Sequence, residues 1–167
     1  MGGRLPKCST PSFVKKATLH LPEELRVALQ PMMNVIESLT EQIHEYDKQI
    51  EALARERYPQ TQHLQQITGV GALTALAFLL TLADPYRFRT SRDVGAYLGL
   101  IPRQADSGSR VSQLGITKAG DTLMRRLLVN CAQYILGPFG MDSDLRRYGE
   151  RLMQRGGKNA KKRAVVA

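Results

Sequence analysis

Gly69-Val70-Gly71 lies between two apolar patterns of helical spacing, and few folds accommodate that arrangement. Leu64 and Ile67, three apart, lead into it, and Ala75 and Phe78, again three apart, lead out. Glycine adopts positive φ without strain and, lacking a Cβ, lets another backbone come close. A helix starting at about Gly71 opens with unpaired N–H groups that suit a phosphate. The layout is that of a helix-hairpin-helix, a module that grips a nucleic-acid backbone. A tight helical turn with no ligand has the same signature.

Charge favours the first reading. The chain has 167 residues, 24 Lys and Arg against 15 Asp and Glu, a formal net charge of +9 and a pI near 9.9. Such a balance suits a polyanionic partner, although a merely soluble basic protein shares it. A hydrophobic fraction of 43% with 6% aromatic residues and no tryptophan predicts an aliphatic, helical core. Cys8 and Cys131 are far apart and read as free thiols of a reducing compartment. The N-terminus lacks the apolar core of a secretory signal. Val70 to Ala83, the longest apolar run, is shorter than the roughly 20 residues of a membrane helix.

The other strong pattern is a heptad. Leu29, Met32, Ile36, Leu39, Ile43, Tyr46, Ile50 and Leu53 recur at spacings of three and four. Ile36, Ile43 and Ile50 fall at one seam position and Leu39, Tyr46 and Leu53 at the other, a choice that favours two strands. A single amphipathic helix packed on its own domain fits the run equally well. Leu21-Pro22-Glu23-Glu24 reads as its start and Tyr58-Pro59 as its end. Pro31 suits only a helix start or a kink.

These signals predict a mainly all-α chain: a long coiled-coil-like helix followed by a compact helical domain containing the helix-hairpin-helix. Residues 1–20 read as a disordered leader, 21–58 as the heptad helix, 62–140 as the compact domain and 141–167 as a basic tail. Within the domain, a helix is expected from about Gly71 to Leu82, and a short one capped by Thr90 or Ser91 through Tyr97. Residues 103–116 read as a polar loop or a short hairpin, after which Thr117 opens another helix. On that helix Met124, Leu128, Cys131 and Ile135 run beside a stripe of Leu123, Leu127, Asn130 and Tyr134.

Two groups of residues are candidates for chemistry. Gly69, Val70 and Gly71, with Arg125 and Arg126, are candidate DNA contacts. Ser107-Gly108-Ser109 places a hydroxyl on a turn flanked by Arg103 and Arg110, with Lys118 following. A serine attacking a phosphodiester needs access, cations for the phosphorane-like transition state and a route for its proton. Arginine supplies a planar clamp for phosphate oxygens, and Asp106 stands next to Ser107 as a proton acceptor. From spacing alone, Asp-Ser-Gly-Ser reads first as a common turn sequence. Asp84, Asp93, Asp106, Asp121 and Glu150 are isolated from one another in sequence, and no spacing argues a metal site.

The order of these motifs resembles a known family. "QQITGVGALTALAFLLTLADPYRFRTSRDVGAYLGLIPRQADSGSR" followed by "GITKAGDTLMRRLLVNCAQYIL" is similar to the C-terminal domain of insertion-sequence transposases of the 110/116/902 family, over roughly residues 62–166. The helix at about 23–57 resembles the coiled coil that precedes that domain. The resemblance implies DNA transposition, with Ser107 as nucleophile and Ser109 in reserve. Where the family has Ser-Ser-Gly-Gly or Ser-Thr-Gly-Gly, this chain has Asp106-Ser107-Gly108-Ser109. It also implies DNA as partner, a guide RNA in some members, a homo-oligomer formed through the 29–53 helix, and a cytoplasmic, nucleoid-associated location. Complete members carry an N-terminal RNase H-like (RuvC-like) domain with an acidic cluster. The first 60 residues show neither its strands nor its acids, so the expectation is a partial chain, inactive alone. No cofactor is expected here; magnesium belongs to the RuvC-like domain.

Overall fold

Helical spacing dominates the sequence, and helices dominate the structure. The computed structural model describes residues 7–107, 110–157 and 159–167, with the backbone alone for 104–107 and 110–114. Among these residues are eight α-helices, one 3₁₀ turn and one two-stranded sheet, the mainly α architecture expected. The chain divides into two compact units, Met1–Ala52 and Leu53–Ala167.

The first unit contains helix α1 (Thr10–His20) and most of helix α2 (Glu23–Arg57). The reading of residues 1–20 as a disordered leader is corrected for Thr10–His20, which form α1. Pro11 sits in the first turn of α1, where its fixed φ suits a helix and its missing N–H costs nothing. Ala17 of α1 and Met33 of α2 are both buried, and the Thr18 hydroxyl reaches Met33 Sδ at 3.6 Å. Helix α2 begins with Glu23 and Glu24 and ends with Arg55 and Arg57, matching the helix dipole at both ends. Pro31 lies inside it, where it denies the Val27 carbonyl its usual donor. Leu25, Met32, Leu39 and Tyr46, seven apart, are all more than half exposed, as is Ile43. Within the unit, this row is exposed, whereas Leu29, Ile36 and Ile50 of the heptad are half-buried.

The second unit starts at the last turn of α2. Thr61, fully buried, donates its hydroxyl to the carbonyls of Tyr58 at 2.7 Å and Ala54 at 3.3 Å, closing the break at Pro59. Helices α3 (Thr61–Gln65) and α4 (Ala72–Leu82) follow, then a 3₁₀ turn at Pro85–Arg87 and helix α5 (Ser91–Tyr97). The Asp93 carboxylate accepts the Thr90 N–H at 2.9 Å and fixes the start of α5. Strands β1 (Pro102–Ser107) and β2 (Arg110–Ile116) form an antiparallel hairpin with a register shift between Pro102 and Gln104.

Helix α6 (Thr122–Ile135) then crosses the unit and packs on α4. It starts five residues later than expected. Lys118 and Gly120 have φ of 59° and 75°, which cannot continue a right-handed helix. Asp121 is the true N-cap, its carboxylate accepting the Met124 N–H at 2.6 Å. Helices α7 (Asp144–Gln154) and α8 (Ala160–Val166) pack on each other, and α8 also packs on α6. The expected basic tail is therefore part of the fold, with Ala164 of α8 buried. The core is aliphatic, as the composition implied: Ala75, Leu76, Leu82, Leu98, Met124, Cys131, Ile135 and Ala164.

Candidate nucleic-acid interface

The glycine turn is built from the sequence upward. The Val70 N–H bonds to the Ile67 carbonyl at 2.9 Å, and Gly69 takes φ of +93°, the position of such a turn that demands glycine. A Cβ there would lie 2.9 Å from Tyr134 Cδ1 and 3.3 Å from Ile135 Cγ1. Gly69 is thus required twice, for conformation and for contact with α6. Gly71 is different, and the expectation that both glycines serve the turn's geometry is corrected. Its φ of −88° and ψ of 173° suit any residue, and a Cβ on it would meet nothing within 4 Å. Gly71 is the N-cap of α4 and brings no side chain to cap it. The first intrahelical bond runs from the Ala75 N–H to the Gly71 carbonyl, so the N–H groups of the first turn lack helical acceptors.

This turn and α6 enclose an open groove of about 480 Å³. Gly69, Val70, Gly71 and Thr74 line one side, and Leu127, Asn130, Cys131 and Tyr134 the other. The Cys131 thiol donates to the Thr74 hydroxyl at 3.7 Å, tying α4 to α6 beneath the groove. Among the described residues, no Lys or Arg lines it. Arg126 is exposed and stands one helical turn before Asn130, on the same side of α6.

Arg125, its sequence neighbour, is buried at 8% exposure. Its guanidinium donates to the carbonyls of Leu98 at 3.0 Å and Gly120 at 3.1 Å, to the Ala119 carbonyl, and to the Thr122 hydroxyl at 3.1 Å. The expectation of Arg125 as a DNA contact is corrected on that ground: its donors are turned inward and engaged. What it holds is the crossing of two backbones. Gly99 and Gly120, both at positive φ, sit where a Cβ would strike Ala119 and Tyr97 respectively. Beside them the Lys118 N–H bonds to the Gly99 carbonyl at 3.0 Å and the Thr117 N–H to the Ile101 carbonyl at 2.9 Å. This crossing is the base of the β1–β2 hairpin.

The hairpin carries the candidate serine. Ser107 is the last residue of β1 and pairs with Arg110, the first of β2. The reserve serine, Ser109, lies outside the described residues. Arg103, at the register shift, is exposed, as is Lys118, which stands in the 117–121 loop and not at a helix start. The candidates therefore fall into two groups. Gly69, Val70 and Gly71 share the groove beside Arg126; Arg103, Ser107, Arg110 and Lys118 share the hairpin and its base.

Sequence reading missed one feature of this kind. Arg146, assigned to the basic tail, donates to the carbonyls of Ile135 at 2.8 Å, Gly137 at 2.8 Å and Gly140 at 3.1 Å, and pairs with Glu150 at 2.9 Å. It caps the C-terminus of α6, and the Gly137 and Gly140 that flank its target were the available signal. Arg147 pairs with Asp144 at 2.7 Å and Asp142 at 2.5 Å; the hydrogen bond with Asp144, and then the charges of both acids, raise its pKa further above the usual arginine value. Among the described residues no three His, Cys, Asp or Glu side chains are placed to share a metal ion. No described helix is long and apolar enough to cross a membrane.

The glycine turn, hairpin and α6 all fall inside residues 61–148, more than half of the chain, which match the model of the Transposase IS116/IS110/IS902 family. The chain belongs to that transposase family. It is 32% identical over 126 residues to the transposase for insertion sequence element IS1111A of Coxiella burnetii, covering 75% of this chain and 34% of that protein. It is 41% identical over 96 residues to the transposase for IS1328 of Yersinia enterocolitica, covering 57% and 28%. A probable family 20 transposase of Pseudomonas aeruginosa is 32% identical over 136 residues, covering 81% and 40%. The chain spans about a third of the length of these curated relatives.

Proposed function

We propose that this chain is the DNA-handling part of a transposase, in which the glycine turn grips a duplex backbone and Ser107 attacks a phosphodiester. The single observation that carries the reading is the family match over residues 61–148, which takes in both groups of candidates. In this reading, unpaired N–H groups at the start of α4 donate to a phosphate oxygen, and Gly71 leaves room for the backbone to approach. Arg126 supplies the charge that the groove lacks. At the hairpin, the Ser107 hydroxyl forms the new bond to phosphorus and one bridging P–O bond breaks, its oxygen taking up a proton and leaving as the hydroxyl of a free strand end. Its proton passes to a base, for which Asp106 is the neighbour in sequence. Arg103, Arg110 and Lys118 offset the charge that develops on the phosphoryl oxygens. The clamp at Arg125 supports this assignment because a nucleophile needs a fixed base to be held in line.

Duplex binding measured across salt concentrations tests the grip. Affinity should fall steeply and log-linearly with salt, as release of condensed counterions requires. A flat response would contradict it.

A second part of the reading is self-association. The uncovered row Leu25, Met32, Leu39 and Tyr46 suits a second copy of α2 in a two-stranded coiled coil. Leu39→Lys with Tyr46→Lys should convert a dimer to a monomer in analytical ultracentrifugation. A parent chain that sediments as a monomer would dismiss this part and leave the duplex grip standing.

A further inference from the structure

The segment Tyr86-Arg87-Phe88-Arg89-Thr90-Ser91-Arg92 interleaves aromatic and basic residues, and neither the groove nor the hairpin uses it. Its geometry follows from the end of α4. Ala83, at φ of +56°, ends that helix, and the Asp84 carboxylate accepts the Tyr86 N–H at 2.9 Å to set the 3₁₀ turn Pro85–Arg87. Tyr86 is left 93% exposed. The guanidinium carbon of its neighbour Arg87 lies over two rings, 4.4 Å from the centroid of Tyr97 and 4.8 Å from that of Phe88. Those rings pack edge to face at 5.5 Å.

This arrangement holds Arg87 in one orientation without neutralising it, since a ring face attracts the cation but carries no net charge. Arg89 and Arg92 are also exposed. Among the described residues, none of the three arginines lies within ion-pair distance of a carboxylate. The two acids of the stretch, Asp84 and Asp93, are engaged on the backbone N–H groups of Tyr86 and Thr90. The surface thus offers a free aromatic ring, a fixed planar cation and two further cations.

We propose that Tyr86–Arg92, backed by Tyr97, is a stacking platform for unpaired nucleotides of single-stranded nucleic acid. Tyr86 stacks on a base, and Arg89 and Arg92 neutralise the phosphates beside it. Paired bases bury their faces in the helical stack, so a ring that needs a base face selects single strands. Aromatic rings interleaved with cations make up the surfaces that bind single strands without reading sequence. A displaced DNA strand and an RNA share this chemistry. The platform does not depend on the duplex grip or on Ser107.

The test titrates the full chain with fluorescent oligo-dT, oligo-rU of equal length and a blunt duplex. The parent should bind at least one single strand. Tyr86→Ala should weaken that binding about tenfold and leave duplex affinity unchanged, while Tyr86→Phe, which keeps the ring face, should bind like the parent. Replacing Arg89 and Arg92 by Gln should lower the magnitude of the salt slope for single strands by about 1.4, the value for two phosphates. Tighter binding of the deoxy strand assigns a displaced DNA strand, and of the ribo strand an RNA; equal binding places recognition in base and phosphate alone. Tyr86 is almost fully exposed, so the Ala variant should unfold at the parent's temperature, and circular dichroism checks this. The proposal is overturned if the parent binds neither single strand, if Tyr86→Ala binds as tightly as the parent, or if it loses duplex and single strand equally. Failure of the duplex grip would show instead in the duplex titration alone.

Discussion

Helix α6 holds both the glycine turn and the base of the hairpin, but by different physics. Near its C-terminal end, Gly69 packs against Tyr134 and Ile135, and the Cys131–Thr74 contact is a weak polar one. Near its N-terminal end, the buried Arg125 donates to three backbone carbonyls around the Gly99–Gly120 crossing. Apolar packing loses energy gradually as atoms shift. A buried guanidinium bonded to carbonyls is closer to all-or-none, because its removal leaves acceptors without donors. The turn is a graded surface; the hairpin base is a pinned joint.

Substitutions that act on one region and spare the other break or sharpen this contrast. The largest effect is expected at the joint: Arg125→Met should destabilise the fold by about 3 kcal/mol in urea unfolding. Arg126→Met, one residue away, should stay within about 0.5 kcal/mol of the parent and weaken duplex binding instead. Equal losses of stability from the two would erase the distinction between them. Next comes Gly69→Ala, expected to cost about 1–2 kcal/mol, since alanine is strained at positive φ and its methyl would press on Tyr134 Cδ1. Gly71→Ala should cost stability only about 0.5 kcal/mol, for a poorer N-cap. Its methyl would occupy the space left for a phosphate backbone, so duplex affinity should fall while thermal unfolding hardly moves. A Gly71→Ala chain that binds DNA like the parent would remove Gly71 from the interface.

Much of the fold was legible in the sequence because local rules and packing agree there. The heptad spacing, Glu23-Glu24 and Tyr58-Pro59 bounded α2 closely, and Thr90 or Ser91 marked the start of α5. The start of α6 was not legible. Lys118 has ordinary helix propensity, and only the contact of Gly99 with Ala119 explains why this stretch is held in left-handed conformations. Helix α1 was missed because its packing rests on small and flexible residues, Ala17 and Met33, that leave little periodic signal. In the candidate site, Ser107 and the glycine turn could be picked out by residue type, but Arg125 and Arg126 could not be told apart that way. The signal was rotational: Arg125 borders the arc of Met124 and Leu128, whereas Arg126 lies on the side of α6 turned away from Met124. Gly71 was read as a conformational glycine because φ is invisible in a sequence.

The central claim of the proposed function is that Ser107, at the end of the clamped hairpin, forms a bond to DNA. End-labelled DNA carrying a family insertion-sequence end, incubated with the chain joined to an RNase H-like domain of the family and run on a denaturing gel, tests it most directly. A protein–DNA adduct that disappears in Ser107→Ala, and maps to Ser107 by mass spectrometry of the digested complex, is the predicted result. An adduct that survives Ser107→Ala would move the nucleophile to Ser109 or elsewhere, and a fusion that binds the duplex yet forms no adduct would contradict the catalytic role assigned to this chain.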